Sequence, residues 1–317
     1  MQQYRLGIDV GGTKIAYGLF DGAYRLVARM TESSRPDLSS DSMMTLLCGQ
    51  IDHLLGEQSL SRKDLQCIGI ALPGHIHFEK GVVVSASNLP NWKGVPVRDA
   101  LTERLGVPTV LDNDANVAAW AEYCRGAGRG SRNMVYLTIS TGIGCGLVLN
   151  GSLFRGTYGA AGEIGHTFLR SSSRIVCGCG RTGCAEAAGS GTAIARYVKA
   201  RLCEGVRSIL PDLAGRMDSI TAEHVAEGAR QKDALSCEAL SMAADAIAQV
   251  FYNVCQLFNC DRIVYGGGLT KIGPLLMDDV LDRFHRLLPP SDDFPVAVLP
   301  AQLGDETGIL GAALLTQ

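Results

Sequence analysis

The chain has 317 residues, which is more than a single hydrophobic core usually supports, so two domains are expected. A hydrophobic content of 46% with 19% charged residues is ordinary for a soluble globular protein and argues against a disordered chain. The net charge is −3 and no run of like charges occurs, which disfavours nucleic acid or a membrane surface as the main partner. Small neutral or anionic molecules remain possible ligands.

The sequence shows no sign of export or membrane insertion. No apolar run approaches the length needed to span a bilayer, and the residues after Met1 lead into a strand pattern and not a signal peptide. We therefore expect a cytoplasmic protein. The 11 cysteines are an odd number scattered along the chain, which disfavours a disulfide framework. Most of them lie among apolar neighbours and are expected in the core.

A glycine turn joins the first two predicted strands, residues 5–10 and 14–20. Glycines allow positive φ and a close approach to a ligand, so the turn Gly11-Gly12-Thr13 could offer N–H groups to an anion. Asp9 comes two residues before Gly11 and could hold a metal ion beside that anion. A plain tight hairpin is the alternative.

The next stretch alternates strand and helix patterns. It has a strand near residues 24–30, a helix at 42–55, a buried strand at 67–72, a helix at 97–105 and a strand at 107–111. In the loop between the first and second of these helices, Asn88 or Trp92 could touch a substrate, although such a loop is more often only a turn.

The strand that ends at Leu111 runs into Asp112, Asn113, Asp114 and, after Ala115, Asn116. A carboxylate flanked by amides can hold a hydroxyl and remove its proton, which makes Asp114 the candidate base. The alternative is that Asp112 or Asp114 only caps the following helix, predicted at residues 115–123.

A second glycine turn repeats the layout of the first. A strand at residues 134–139 enters a turn at 140–146 that contains Thr141, Gly142 and Gly144, and a strand at 147–150 follows. Two such hairpins about half a chain apart indicate duplicated halves that face one another across a cleft, each offering N–H groups to one polyphosphate. Neither turn matches a Walker A loop or a dinucleotide-binding fingerprint.

The rest of the chain is mainly helical after an irregular polar segment at residues 156–191. Helices are predicted at 192–202, 222–230, 237–258, 275–288 and 306–315, with strands at 262–265 and 296–299. The first of these strands ends in the triple glycine at residues 266–268. There Gly267 and Gly268 could lie close to a flat ring, or could serve only as a strand-to-helix turn.

The irregular segment contains a metal-binding pattern. His166, Cys177, Cys179 and Cys184 follow the spacing H-x10-C-x-C-x4-C, with glycines between the thiols. Three thiolates and one imidazole are the complete ligand set of a structural zinc, which leaves no open position for catalysis. Such an ion would fold a loop that has little apolar material of its own.

Two carboxylates lie beside these predicted ligands. Glu163 precedes His166 by three residues and Glu186 follows Cys184 by two. Both are well placed to accept hydrogen bonds from neighbouring sugar hydroxyls, and a site that pairs its carboxylates in this way rejects analogues without those hydroxyls. For either residue alone, the alternative is a solvated surface position.

Taken together, these motifs resemble the ROK family of sugar kinases and sugar-responsive repressors, which are related to actin and hexokinase. The resemblance covers nearly the whole chain and is carried by residues 9–14, 113–116, 140–146, 161–166, 177–186 and 266–268. It implies an α/β, actin-like ATPase (ribonuclease H-like) fold with two similar lobes around a cleft and a zinc-binding loop at 163–186. The expected domains are 1–116, completed by the C-terminal helix at about 303–317, and 117–302.

The resemblance also implies a role for each motif. Asp114 would deprotonate the sugar 6-hydroxyl. The two hairpins would hold the ATP phosphates, with magnesium near Asp9, while the triple glycine would lie by the adenosine. The nucleotide contacts are expected at Asp9, Gly11, Gly12, Thr13, Lys14, Thr141, Gly142, Gly144, Gly267 and Gly268. The sugar contacts are expected at Asn88, Asn113, Asp114, Glu163, His166 and Glu186, with His166 using one ring nitrogen for zinc and the other for the sugar.

These expectations describe an ATP-dependent hexose kinase, with glucose as the leading substrate and a homodimer as the implied assembly. N-acetylmannosamine, N-acetylglucosamine, allose, mannose and fructose are alternatives, because their kinases use nearly the same residues. A sugar-responsive transcriptional regulator is a remote alternative. Repressors of this family carry a helix-turn-helix segment before the first hairpin, which here begins within the first ten residues.

Overall fold

The computed structural model describes residues 3–86, 89–169, 174–289 and 295–316. The chain divides into two compact units, each built from separate stretches of sequence. Unit 1 consists of Met1–Gly130, Gly146–Ala161 and Ala301–Gln317, and unit 2 of Ser131–Cys145 and Gly162–Pro300.

The described residues form an alternation of strands and helices. The strands are β1 Tyr4–Val10, β2 Lys14–Phe20, β3 Leu26–Ser33, β4 Leu65–Leu72, β5 His75–His77, β6 Val82–Ser85, β7 Thr109–Asn113, β8 Met134–Ile139, β9 Ile143–Leu149, β10 Ser152–Leu153, β11 Arg262–Gly266 and β12 Ala297–Pro300. The helices are α1 Ser40–Glu57, α2 Val97–Leu105, α3 Asp114–Arg125, α4 Glu186–Gly189, α5 Gly191–Cys203, α6 Leu210–Ala214, α7 Ala222–Arg230, α8 Ala234–Phe258, α9 Pro274–Leu287 and α10 Thr307–Leu314.

The first sheet has the strand order β3-β2-β1-β4-β7. β1 pairs antiparallel with β2 and parallel with β4, and β4 pairs parallel with β7. Because side chains alternate across a strand, Leu6 and Ile8 of β1 point into the core that includes α1 and α2, while Gly7 points to the other face. There a Cβ on Gly7 would lie 1.8 Å from the carbonyl oxygen of Ile309 in α10. Glycine therefore lets α10 lie directly on the sheet.

A buried carboxylate ties the C-terminal segment to α3 within unit 1. Glu122 has no exposed surface, and its Oε1 accepts hydrogen bonds from the backbone N–H groups of Gln302 and Leu303, each at 2.9 Å. Its Oε2 accepts a third from Ala127 at 2.8 Å. Three N–H donors compensate the burial of this carboxylate.

The second sheet has the order β10-β9-β8-β11-β12, and β11 pairs parallel with both β8 and β12. This order matches that of the first sheet. In each sheet, three strands that follow one another in the chain lie side by side, and two strands from later in the chain extend the sheet beyond the earliest of them. This correspondence is what a duplication of the halves requires.

The long helix α8 corrects one expectation from the sequence. By length and composition alone it would pass as a membrane span, but 61% of the relevant window is buried inside the protein. The core helix of a globular protein passes the same test, so this is weak evidence for a membrane segment. Its buried side includes Ala243, Ile247 and Phe251.

The predicted elements differ from the structure mainly at their ends. α2, α7 and β8 have the predicted bounds, whereas β9 begins at Ile143, inside the stretch expected to be a turn. β5 and β6 were not predicted. The domain ranges 1–116 and 117–302 stay a prediction; in the compact units, 117–130 and 146–161 lie with unit 1.

Candidate active site and metal cluster

Asp114 is the first residue of α3, directly after β7. The N-cap of this helix is Asn113, whose Oδ1 accepts hydrogen bonds from the backbone N–H groups of Ala115 at 2.9 Å and Asn116 at 3.3 Å. The Nδ2 of Asn113 donates to the carbonyl of Gly74 at 2.9 Å. The N-cap residue is therefore Asn113 and not Asp114. The carboxylate of Asp114 also accepts a hydrogen bond from Ala115 N–H, at 2.9 Å.

Asp112 is not the cap either, because its buried carboxylate serves the framework of the same turn. Its Oδ1 accepts hydrogen bonds from Asn113 N–H at 2.8 Å and from Asn116 Nδ2 at 3.0 Å. Its Oδ2 pairs with Arg155 Nε at 2.6 Å, and the Arg155 guanidinium lies 3.7 Å above the ring of Phe78. These contacts fix the backbone on both sides of Asp114.

Arg155→Ala is expected to lower the free energy of unfolding by about 3 kcal/mol, because a buried carboxylate is left without its counter-charge. The side chain of Asp112 is 2% exposed, so solvent screens its charge little in the folded protein. Urea denaturation measures the change. Arg98→Ala is the matched control, since its partner Asp99 is 69% exposed and the loss should stay within about 1 kcal/mol. Equal losses in the two variants would contradict this account.

The turn of the first glycine hairpin does not adopt the positive φ that its glycines would allow. The backbone N–H of Gly11 donates to the carbonyl of Lys14 at 2.9 Å, and neither Gly11 nor Gly12 has a positive φ. A Cβ on Gly11 would lie 3.1 Å from that same carbonyl oxygen. Gly11 therefore fits this turn because it has no side chain to crowd the Lys14 carbonyl, and not because the turn needs a left-handed residue.

Asp9 lies at the end of β1 beside this hairpin. Burial raises the pKa of its carboxyl above the usual value, and the positive charge of Lys14 offsets part of that rise. A cation bound beside this buried carboxylate would stabilise its ionised form, which is the form that binds Mg²⁺.

The second glycine hairpin is held by a residue of the metal-binding segment. The backbone N–H of Ile143 donates to Glu186 Oε2 at 3.0 Å. A Cβ on Gly142 would lie 2.5 Å from the same oxygen, so a side chain at 142 would displace the Glu186 carboxylate. Gly144 lies within β9 and Thr141 in the turn before it. The sequence did not predict that Glu186 supports the hairpin.

The four predicted metal ligands lie together in unit 2. The ligand atoms of His166, Cys177, Cys179 and Cys184 are all within 4.8 Å of one another. Cys179 Sγ lies 3.7 Å from Cys184 Sγ, and Cys177 Sγ lies 3.8 Å from His166 Nδ1. In a tetrahedral zinc site with Zn–S bonds of about 2.3 Å, neighbouring ligand atoms are about 3.8 Å apart. The cluster therefore fits zinc.

Without a bound ion, burial disfavours the ionised form of the Cys184 thiol. Burial raises the pKa of the Cys184 thiol to about 12, with further contributions from Cys179 and Cys177. A divalent cation reverses this effect, because it stabilises each thiolate that coordinates it. A bound Zn²⁺ would offset two of the three thiolate charges and leave a net charge of about −1 on the ion and its four ligands.

The two carboxylates next to the cluster have different surroundings. Glu163 precedes a 3-10 turn at Ile164–His166, and the backbone N–H of His166 donates to its carbonyl at 3.0 Å. Glu186 begins α4 and lies 3.6 Å from Cys177 Sγ through its Oε1. One sugar-contact prediction, Asn88, lies outside the described residues.

A cavity of about 560 Å³ lies in unit 2, between the second glycine hairpin and the triple glycine. This volume is in the range of small-molecule sites. Gly267 has φ +98, and a Cβ there would lie 2.4 Å from the carbonyl oxygen of Ile139, so only glycine fits. The cavity walls include Thr141, Ala195, Ala222, Glu223, Gly268 and Lys271. The sequence predicted Thr141 and Gly268 as nucleotide contacts. No motif in α5 or α7 indicated that these helices line the cavity.

Comparison with known proteins decides the family. The sequence model of the ROK family matches residues 5–317. The chain belongs to the ROK family. This confirms the family predicted from the motifs.

Individual ROK proteins are similar over almost their whole length. A glucokinase of Halalkalibacterium halodurans is 31% identical over 315 residues, which cover 99% of this chain and 95% of that protein. An N-acetylmannosamine kinase of Salmonella typhi is 32% identical over 313 residues, 98% of each chain. The crystal structure of a ROK family glucokinase from Streptomyces griseus in complex with glucose and AMPPNP has a TM-score of 0.82 and 32% identity, covering 98% of both chains.

The likeness to solved ROK structures confirms the predicted fold class, the α/β fold of actin-like ATPases. The matching strand orders of the two sheets agree with it. The roles predicted for individual residues stay predictions.

Proposed function

We propose that this ROK protein transfers the γ-phosphoryl group of ATP to the 6-hydroxyl of a hexose, with glucose as the preferred substrate. The observation that carries the proposal is the similarity over 99% of the chain to a protein that is a glucokinase. The rigid framework around Asp114 supports it, because a general base must be held in a fixed orientation.

In this proposal Asp114 accepts the proton of the sugar 6-hydroxyl as the phosphoryl group is transferred. Asn113 orients Asp114 through the N-cap and its hydrogen bond to Gly74. Phosphoryl transfer needs little covalent help from a protein, so orientation of the hydroxyl and neutralisation of phosphate charge supply most of the catalysis. The remaining sugar contacts are assigned to Asn88, Glu163, His166 and Glu186, as predicted.

The nucleotide is assigned to the two hairpins and the cavity of unit 2. The adenosine would occupy the cavity, whose volume of about 560 Å³ suits a nucleoside. Asp9, Gly11, Gly12, Thr13, Lys14, Thr141, Gly142 and Gly144 are assigned to the phosphates. Magnesium, bound near Asp9, would neutralise charge on the transferred phosphoryl group.

A structural zinc is assigned to His166, Cys177, Cys179 and Cys184. The donor spacing supports this assignment, and a full set of four protein ligands gives the ion a folding role and not a Lewis-acid role. With Nδ1 of His166 towards the thiols, Nε2 is assigned to the sugar. In this way the ion would hold the sugar contacts on a segment that is otherwise irregular.

The preferred sugar needs its own argument, because an N-acetylmannosamine kinase is as similar to the chain as the glucokinases are. Glucose is preferred here because a solved ROK family glucokinase in complex with glucose is 32% identical to this chain and covers 98% of it. Kinases for N-acetylglucosamine, allose, mannose and fructose remain alternatives, and a transcriptional regulator is a remote one. A cytoplasmic location and a homodimer are part of the proposal.

Initial rates of ADP release with ATP across these six sugars test the proposal. We expect kcat/KM for glucose to exceed that for every other sugar by about tenfold or more. A higher value for N-acetylmannosamine would contradict the assignment of glucose but not that of a sugar kinase. The absence of any sugar-dependent ADP release would contradict the kinase itself.

A further inference from the structure

The first turn of α10 lies against Asp9. A Cβ built on Gly308 would be 2.3 Å from Asp9 Oδ2, 2.6 Å from its Cγ and 3.0 Å from its Cβ. Real Cβ atoms do not approach other atoms this closely. Rotation of the carboxylate about its own axis would leave Cγ in place, so a side chain at 308 would force Asp9 into another χ1 rotamer or move the backbone.

The backbone of Asp9 has little freedom to move. Asp9 lies on β1, opposite Ala16 of β2 and Ala71 of β4, and is therefore paired on both sides. The helix is equally constrained, since its carbonyl oxygens at Ile309 and Ala312 pack directly against glycines of β1 and β4. A side chain at 308 would thus be accommodated mainly by rotation of the Asp9 side chain.

Helix conformation does not explain the glycine at 308. Its φ is not positive, and glycine inside a helix costs about 1 kcal/mol relative to alanine. By propensity alone, alanine would stabilise α10. The lack of a side chain is required by the space that the Asp9 carboxylate occupies.

We propose that Gly308 is a positioning residue that fixes the Asp9 rotamer used to bind the magnesium–nucleotide complex. This inference rests on the proposed function, which assigns Asp9 to that complex. Gly308 acts through Asp9 and makes no contact with substrate itself. No motif in the sequence connects the two positions.

Titration calorimetry of ADP binding, with Mg²⁺ and with EDTA, tests this without an activity measurement. In Gly308→Ala, the gain in ADP affinity caused by Mg²⁺ is expected to fall by about tenfold or more, while affinity in EDTA stays at the wild-type value. Gly311→Ala is the matched control in the same helix. Its Cβ would lie 2.2 Å from the carbonyl oxygen of Val117, a similar clash away from Asp9. It is expected to lower Tm and to keep the Mg²⁺ effect.

A double-mutant cycle separates positioning from general damage. If Gly308 acts through Asp9, Asp9→Ala/Gly308→Ala should show the same Mg²⁺ effect as Asp9→Ala alone.

If Gly308→Ala does not fold, the double variant should fold, because the crowded Oδ2 and Cγ are gone; a double variant that also fails to fold would overturn the inference. A wild-type Mg²⁺ effect in Gly308→Ala would overturn it and leave the proposed function standing. A wild-type protein without any Mg²⁺ effect or sugar phosphorylation would overturn both.

Discussion

Asp114→Asn is expected to lower kcat for sugar phosphorylation by about 10²- to 10⁴-fold, which is the contribution of a positioned general base. The amide has nearly the shape of the carboxylate and keeps an oxygen for the hydrogen bond from Ala115 N–H. The N-cap of α3 is Asn113 and stays intact. We therefore expect the variant to fold and to bind sugar with close to wild-type affinity, as calorimetry would show.

Asp99→Asn is the control for this change, because the Asp99 side chain is 69% exposed on α2 of the same unit. It should leave both kcat and sugar affinity unchanged. Near-normal turnover in Asp114→Asn would contradict the assignment of the base. Loss of sugar affinity in parallel with turnover would instead assign Asp114 to binding.

Cys184→Ser is expected to remove the bound zinc and most of the activity. Cys184 is completely buried within the cluster, and structural zinc contributes about 10–16 kcal/mol of binding free energy in small zinc domains. Metal analysis should fall from one zinc ion per chain to a small fraction. Hydrogen exchange should increase at residues 163–169 and 174–186, since the ion no longer holds this segment.

Cys203→Ser provides the matched control, because Cys203 is an exposed cysteine at the end of α5, outside the cluster. It should keep zinc, exchange protection and activity. Freshly purified wild-type protein with much less than one zinc per chain would contradict the metal assignment. Full activity in a zinc-free Cys184→Ser protein would contradict the folding role of the ion.

Local signals in the sequence predicted much of the fold. α2 has its predicted bounds because its apolar residues Val97, Leu101 and Leu105 recur at helical spacing and Gly106 ends the helix with φ +67. β8 is continuous and apolar, which marks a buried strand. The hairpin of β5 and β6 was not predicted, because strands of three and four residues are too short to show a clear period.

The metal cluster was the most predictable part of the site. Its four predicted ligands are close in sequence and lie together in the structure, and three thiols with one imidazole are a ligand set typical of zinc. Composition located the glycine turns but did not predict their geometry, since Gly11 and Gly12 lack the positive φ that glycine allows. The start of β9 was also placed too late, because the glycines of the turn concealed a strand whose residues are mostly buried.

Contacts between distant positions were beyond the reach of sequence patterns. Glu186 holds the backbone of Ile143, Arg155 neutralises Asp112, and Gly308 makes room for Asp9. Each pair is separated by tens to hundreds of residues, and neither member shows a period or motif that points to the other. Such contacts depend on how elements pack, which local propensity does not specify.

The most direct test of the account is to identify the product of the reaction by ³¹P NMR, with wild-type protein, Mg²⁺, ATP and glucose. We expect one ADP for each sugar phosphate, with the phosphorus coupled to the protons on carbon 6 of the hexose. Phosphate on another carbon, or inorganic phosphate released with the sugar unchanged, would contradict it.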